Sequence, residues 1–344
     1  MKLYQKLLIL SAVVLLSFIS SISFGSVNIP FRETIRVMFS SLMGSRSMDI
    51  SQTYYNIIVD IRVPRVFLGM ITGASLAVSG LVFQAILKNP LADPYTLGIS
   101  AGAAFGAGFA IFLSHVLYPG IKALMPVFAF SGAVSTIFLV YFLARTKGRI
   151  QILTIILSGV IVSYLFSSGL VLVMSLLGDR SHEVIYWLMG SLAGYHRYLS
   201  IAAGVVLVLM ILIFAFYRDL DLISLGDEHA MSLGVNTDLV RLLLFSVTSV
   251  ITAIVVSMTG TIGFVGLIIP HAMRFLFGPR HRLLIPVSVV AGASFLPLSD
   301  TLGRTLPAIV FSSGMEVPVG VITSLFGSPF FIFLLIRGKR RFWF

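Results

Sequence analysis

The sequence predicts an all-α, polytopic membrane protein of about ten transmembrane helices, and three observations carry that reading. Of its 344 residues, 58% are apolar and only 11% are charged. Mean hydropathy is +1.03. Uncharged apolar runs near 20 residues long recur from end to end. A water-facing surface needs far more charge, about a quarter of all residues. The balance is the reverse of a disordered chain. With no Cys, a disulfide scaffold, thiol catalysis and thiolate metal sites are all excluded.

The runs read as spans at 5–25, 63–86, 94–114, 123–144, 151–177, 199–217, 241–259, 262–277, 283–303 and 317–336. Each approaches the length that crosses about 30 Å of hydrocarbon. The first follows Lys2 and Lys6 like a signal peptide, but its core is long and no A-x-A site follows, so an uncleaved span is expected. The eighth is short and contains Pro270, which predicts a broken or tilted segment. A cytoplasmic N-terminus with ten spans returns the C-terminus to the cytoplasm. Fifteen Lys and Arg then fall inside and nine outside, in agreement with the positive-inside rule. The net charge of +11 is thus read as topology, and no nucleic-acid partner is expected.

Two stretches do not span. Residues 26–62 are placed outside, with the periodic segment Phe31–Met43 and the acid- and Tyr-bearing Asp49–Asp60 forming short interfacial helices. Residues 218–240, RDLDLISLGDEHAMSLGVNTDLV, are placed inside as the one cytoplasmic loop large enough to dock a partner. The whole chain, 1–344, is read as a single membrane domain.

Small residues punctuate the spans: Gly69 and Gly73, then Gly102, Gly106 and Gly108. The G-x-x-x-G spacing lets helix backbones approach closely, so these are read as packing positions. The phosphate-binding pattern G-x-x-x-x-G-K-[ST] is absent. The chain therefore carries no nucleotide motif, no catalytic residue and no cofactor of its own. Ionisable groups near mid-span are almost lacking; Asp93, His271, Arg274 and Asp300 fall near predicted span ends. An ion-coupled carrier normally needs a buried acid or His, so the free energy is expected from another subunit. His115, His182, His196, His229, His271 and His281 lack metal-ligand spacing and are read as interfacial, with no metal site.

Four strings carry a family resemblance: RVPRVFLGMITGASLAVSGLVFQAILKNPLADPYTLGISAGAAFG (Arg62–Gly106), IYWLMGSLAG (Ile185–Gly194), TGTIGFVGLIIPHAMRFLFGPRHR (Thr259–Arg282) and EVPVGVITSLFGSPFFIFLL (Glu316–Leu335). In order and register, they resemble the permeases that import iron–siderophore complexes, haem and cobalamin. The resemblance implies a homodimeric ABC importer of type II in a bacterial or archaeal cytoplasmic membrane. Two cytoplasmic ATPase subunits would hold ATP and Mg, and an extracytoplasmic binding protein would deliver the substrate.

The resemblance also implies site roles. Glu228-His229-Ala230, with Leu233 and Gly234, is similar to the E-A-A-x-x-x-G coupling pattern, with His229 in place of the first Ala. Arg62 and Arg65 match arginines that dock the binding protein, and Arg304 matches a third; Leu306–Met315 holds a few extra residues beside it. Apart from the resemblance, Arg62 and Arg65 read as interfacial anchors that snorkel, and Ile152 and Leu153 read equally as an ordinary helix start. Asn89, Leu91, Gln151, Ile152 and Leu153 match a cytoplasmic gate, although Ile152 and Leu153 are apolar where the cobalamin-type gate is small and polar. Ser158 and Ser163 would lend weak polar contacts to a pathway along the fifth span. Two other readings stay open on the residues alone. One is an ion-coupled secondary transporter working without an ATPase; the other is a multispan scaffold.

Overall fold

The computed structural model describes residues 3–43, 51–146, 149–150, 152–194, 198–311 and 315–338. Fifteen α-helices appear among them. The first four are α1 (Leu3–Ser23), α2 (Phe31–Leu42), α3 (Gln52–Tyr55) and α4 (Val63–Ile86). Next come α5 (Ile99–Val116), α6 (Met125–Ala144), α7 (Ile152–Leu177), α8 (His182–Leu188) and α9 (Leu199–Ala215). The remainder are α10 (Tyr217–Leu225), α11 (Asp227–Ser232), α12 (Thr237–Thr259), α13 (Val265–Phe277), α14 (His281–Phe311) and α15 (Val319–Gly338). A two-residue antiparallel pairing, Arg145–Thr146 with Arg149–Ile150, interrupts the helices between α6 and α7.

Every span read from the sequence has a helix. Among the described residues seven helical stretches are long and apolar enough to cross a membrane, and an eighth is α9 taken with α10 across a 53° bend. The other two, α13 and α15, are shorter by the same measure. At 1.5 Å per residue the 13-residue α13 covers about 20 Å, short of the hydrocarbon thickness. Its start is a break after Gly260, with Phe264 at φ +69 and Gly260 at φ +71; the expected interruption falls there and not at Pro270, which lies inside the continuous helix.

Residues 26–62 depart in part from the expectation. Helix α2 is separate and amphipathic: Val37 and Thr34 are buried, whereas Phe31, Ile35 and Phe39 are exposed one turn apart. Gln52–Arg62 is not a second helix lying flat. It continues through a π-helical turn, Asn56–Arg62, into α4 as one 35-residue rod. The reason is apolar: Tyr54, Tyr55, Ile57 and Val59 pack with buried Ile22, Ile29, Val37 and Ile58 in a small core of their own. Asp49 and Ile50 lie outside the described residues.

The main core is built around α4, which packs against α12, α13 and α14; α5 packs against α6 and α7, and α1 against α14. Lipid offers helices no hydrophobic drive to associate, so close backbone approach has to supply it. At Gly80 the approach to Gly266 of α13 is so close that an added Cβ would sit 1.9 Å from the Gly266 carbonyl oxygen. Gly73 meets Gly292 of α14, and Gly102 meets Gly132 of α6, in the same manner. The glycine spacing in the sequence is therefore the packing code of the bundle.

Gly80→Ala is expected to force α4 from α13, since backbone rather than a flexible side chain must move; overpacking costs about 1–3 kcal/mol or more. Gly204→Ala in α9, where an added Cβ meets nothing within 4 Å, should leave stability unchanged or slightly raised. Thermal unfolding of both variants in detergent checks the contrast.

Candidate functional site

The polar face of the 218–240 loop is a rigid knob. Helix α11 is only six residues long, yet both ends are defined. Gly226 (φ +136) separates it from α10, and Gly234 (φ +86) ends it. Val235 N donates to Ala230 O at 3.0 Å and Gly234 N to Met231 O at 3.0 Å, the paired bonds of a Schellman motif, which needs a left-handed residue where Gly234 stands. Ala230 is fully buried beneath the knob, while Met231 and Leu233 are 54% and 67% exposed. Glu228 and His229 are exposed beside them. A small residue below and large apolar ones above make a shape suited to insertion into a cleft.

Ion pairs strap this knob to the bundle. Asp227, the first residue of α11, lies 2.8 Å from Lys88 Nζ and also accepts from Arg241 of α12. Arg241 in turn donates through Nε to Ile86 O at the end of α4 (3.0 Å). Burial pushes the Asp227 carboxyl up, but the hydrogen bonds and charges of Lys88 and Arg241 outweigh it and hold the group below its ordinary value. The Asp227 carboxyl is therefore held in its charged form. On the other side Asp221 of α10 accepts from the backbone N of His281 (2.8 Å) and meets its Nδ1 at 2.6 Å, fixing α10 to the start of α14.

The turn after α4 lies next to the strap. Asn89 Oδ1 accepts from Leu91 N (2.9 Å), and Leu91 is 40% exposed. Asp93 then caps the short helical turn Pro94–Leu97 by accepting from Tyr95 N (3.0 Å). The Tyr95 hydroxyl accepts from Ile262 N (2.9 Å) in the break before α13.

Of the other residues expected at an inner gate, Leu153 is exposed, whereas Ile152 is half-buried against the core. Gln151 lies outside the described residues. Ser158 is buried at the edge of the exposed stripe Leu153, Leu157, Val160, Ile161, Tyr164 and Leu165 on α7. Ser163 is half-buried, its hydroxyl donating to Gly159 O (2.7 Å).

The three arginines expected to dock an outer partner are turned inward. Arg62 is 3% exposed and donates to the carbonyls of Ile22, Ser23 and Val27. These carbonyls lie at and just beyond the C-terminal end of α1, where backbone acceptors lack helical partners and a cation is favoured. Arg304 donates to Ser21 O and Phe24 O (3.1 and 3.3 Å) and sits 2.9 Å from Asp300 through Nε. Arg65 grips Asp300 with two parallel bonds of 2.9 and 2.8 Å and reaches Glu316 at 2.8 Å. The physical reason is Asp300, a buried acid one helical turn before Arg304: it draws both guanidinium groups into the bundle.

Comparison with known proteins places these features in a family. Residues 13–337 match the model of the FecCD transport family. The chain belongs to that family. It is 42% identical over 287 residues to a cobalamin import system permease of Halobacterium salinarum, covering 83% of this chain and 75% of that one. It is 34% identical over 331 residues to a hemin transport system permease of Yersinia pestis, covering 95% of each. A solved inward-facing structure of a metal-chelate type ABC transporter superposes with a TM-score of 0.78 at 29% identity, over 97% of this chain and 99% of that one.

This FecCD-family permease also holds an open cavity of about 560 Å³ that the sequence reading did not assign. It is bordered by Leu188, Met189, Thr261, Gly263, Ser324 and Ser328 among others, and no charged residue among those described lines it. The signal was present as the G-T-I-G break (Gly260–Gly263), which ends α12 and leaves space before α13. No group of three or more His, Asp or Glu among the described residues could hold a metal ion.

Arg65→Ala is expected to strip Asp300 and Glu316 of their shared partner and to destabilise the subunit by about 3–5 kcal/mol. Arg36→Ala, which breaks only the half-exposed pair with Glu33, should cost less than about 1 kcal/mol. Melting temperatures in one detergent distinguish the two.

Proposed function

We propose that this FecCD-family permease works as a homodimer in the cytoplasmic membrane of a bacterium or archaeon. It moves an iron chelate, haem or cobalamin inward while two ABC ATPases bind ATP and Mg on the cytoplasmic side. An extracytoplasmic binding protein delivers the substrate. The permease has ten spans, counting α13 and α15, and both termini face the cytoplasm. The observation that carries the reading is the α11 knob, exposed and apolar at its tip, with Asp227 tied to Lys88 after α4 and to Arg241 of α12, and with the adjoining α10 tied by Asp221 to α14. A surface meant only for solvent has no need of that rigidity. Inserted into an ATPase cleft, it passes motion to three helices at once.

Selection of the chelate rests with the binding protein in this reading. The cavity beside α13 offers the hydroxyls of Thr261, Ser324 and Ser328 with no fixed charge, so a bulky chelate meets weak contacts and is not trapped on its way. The fully buried carboxylates among the described residues, Asp93 and Asp300, are engaged in a helix cap and in the arginine cluster. Neither is free to exchange a coupling ion, which weighs against an ion-coupled carrier.

Met231→Asp combined with Leu233→Asp should weaken ATPase association by about 2 kcal/mol or more, roughly thirtyfold, as loss of an apolar anchor does. The subunit itself should keep its melting temperature, because both side chains are exposed. Co-purification of the ATPase with wild-type and variant permease measures this; equal recovery overturns the assignment of the knob. Delivery is checked by the binding protein's affinity for haem, cobalamin and an iron–siderophore complex, at least one of which must bind.

A further inference from the structure

Two helices of this protein end in the same motif, and one ends with an unexpected residue. At the end of α4, Lys88 N donates to Ala85 O (3.3 Å) and Asn89 N to Gln84 O (3.2 Å). These are the paired Schellman bonds that also close α11. The left-handed position is filled by Gly234 in α11 (φ +86) but by Lys88 in α4 (φ +49). A side chain with a Cβ is disfavoured there, and glycine is the usual solution. The backbone gives no reason for Lys88. Its ammonium does: it reaches 2.8 Å from Asp227, the first residue of α11.

We propose that Lys88 is a positioning residue that ties the α4–α5 turn to the knob, so that ATPase-driven movement of α11 is delivered to the turn carrying Leu91. This rests on the reading that α11 docks the ATPase. Asp227 is shared by two cations with different tasks. Arg241, itself buried and bonded to Ile86 O, holds α11 to the ends of α12 and α4. Lys88 lies beyond that helix end, in the turn, where Asn89 Oδ1 orients Leu91 N at 2.9 Å. A pull on Asp227 therefore reaches Lys88, and through two intervening bonds of backbone the Asn89–Leu91 turn, without the whole of α4 having to shift. From there the chain runs through the Asp93 cap to Tyr95, whose hydroxyl holds Ile262 N between the cavity-lining residues Thr261 and Gly263.

The test exploits the odd residue. Lys88→Gly removes the ammonium and relieves the left-handed backbone together, so fold stability is kept or raised while the tie is lost. In this naturally Cys-free chain, Leu91→Cys is labelled with an environment-sensitive fluorophore. The permease is reconstituted in nanodiscs with its ATPase, and Mg-ATP with vanadate is added. The expected result is a nucleotide-dependent emission change with Lys88 that shrinks about fivefold or more in Lys88→Gly. Melting temperature should be unchanged and Lys88→Arg should restore the response, while Arg241, still paired with Asp227, keeps α11 seated so that the ATPase is still recovered. A wild-type response in Lys88→Gly overturns the proposal and leaves the knob assignment standing. A markedly lower melting temperature in Lys88→Gly also overturns it, since Lys88 would then be a staple of the fold. A wild-type permease that recovers no ATPase overturns the docking reading and this one with it.

Discussion

Everything in this structure depends on how closely other backbones can approach α4. In the hydrocarbon region no water competes for apolar surface, so helices hold together through contact and internally satisfied polar groups. Helix α4 answers with a surface of small residues, Gly69, Gly73, Ser75, Ala77, Ser79 and Gly80, and is buried along most of its length. Gly80 against Gly266 seats the short α13, and Gly73 against Gly292 seats α14. The Ser79 hydroxyl, accepting from Thr252 Oγ1 (3.1 Å), joins α12 to the same hub. Larger residues at these positions would hold the three helices at ordinary separations and open the bundle.

The two ends of α4 are then secured by charge, in different ways. At the outer end the charges are buried and mutually occupied: Arg62 and Arg304 satisfy carbonyls at the end of α1, and Arg65 joins Asp300 to Glu316. Such a cluster is costly to break because each remaining charge would be stranded away from water. At the inner end the charges are partly solvated and shared. Asp227 stands between Lys88 and Arg241, half in contact with water. A buried clamp at one end of α4 and a shared, partly solvated strap at the other fit the proposed working of the subunit from the α11 side.

The fold and the inner knob were legible in the sequence because both are local. A run of twenty apolar residues has few fates other than crossing a bilayer, and α4 and α6 fall within two residues of the expected bounds. Glu228–Gly234 was read as a short helix through its likeness to the E-A-A-x-x-x-G pattern, since the residues alone allowed a solvated loop equally; the left-handed Gly234 that stops the helix lies within the same seven residues. The outer arginines were not. R-V-P-R looks the same whether its guanidinium groups face a partner or the bundle; what turns Arg65 inward is Asp300, more than two hundred residues away, and what holds Arg62 is the carbonyls at the end of α1. Ser158 shows the same limit on a smaller scale. Its helix was evident, but which face of an almost uniformly apolar helix packs inward depends on the neighbours.

By itself, then, the sequence determined that this is a many-span helical membrane protein, where its helices run and where a short helix stands at Glu228–Gly234, because hydropathy, glycine spacing and turn chemistry act between near neighbours; the likeness to FecCD permeases was carried by four strings in register. Only the tertiary structure decided that Arg62, Arg65 and Arg304 are clamps, that Lys88 accepts a glycine's conformation to reach Asp227, and that a charge-free cavity opens beside the α12–α13 break. Each of those depends on groups brought together from distant parts of the chain, and burial in a medium without water makes such meetings strong enough to override what any of the residues would do alone.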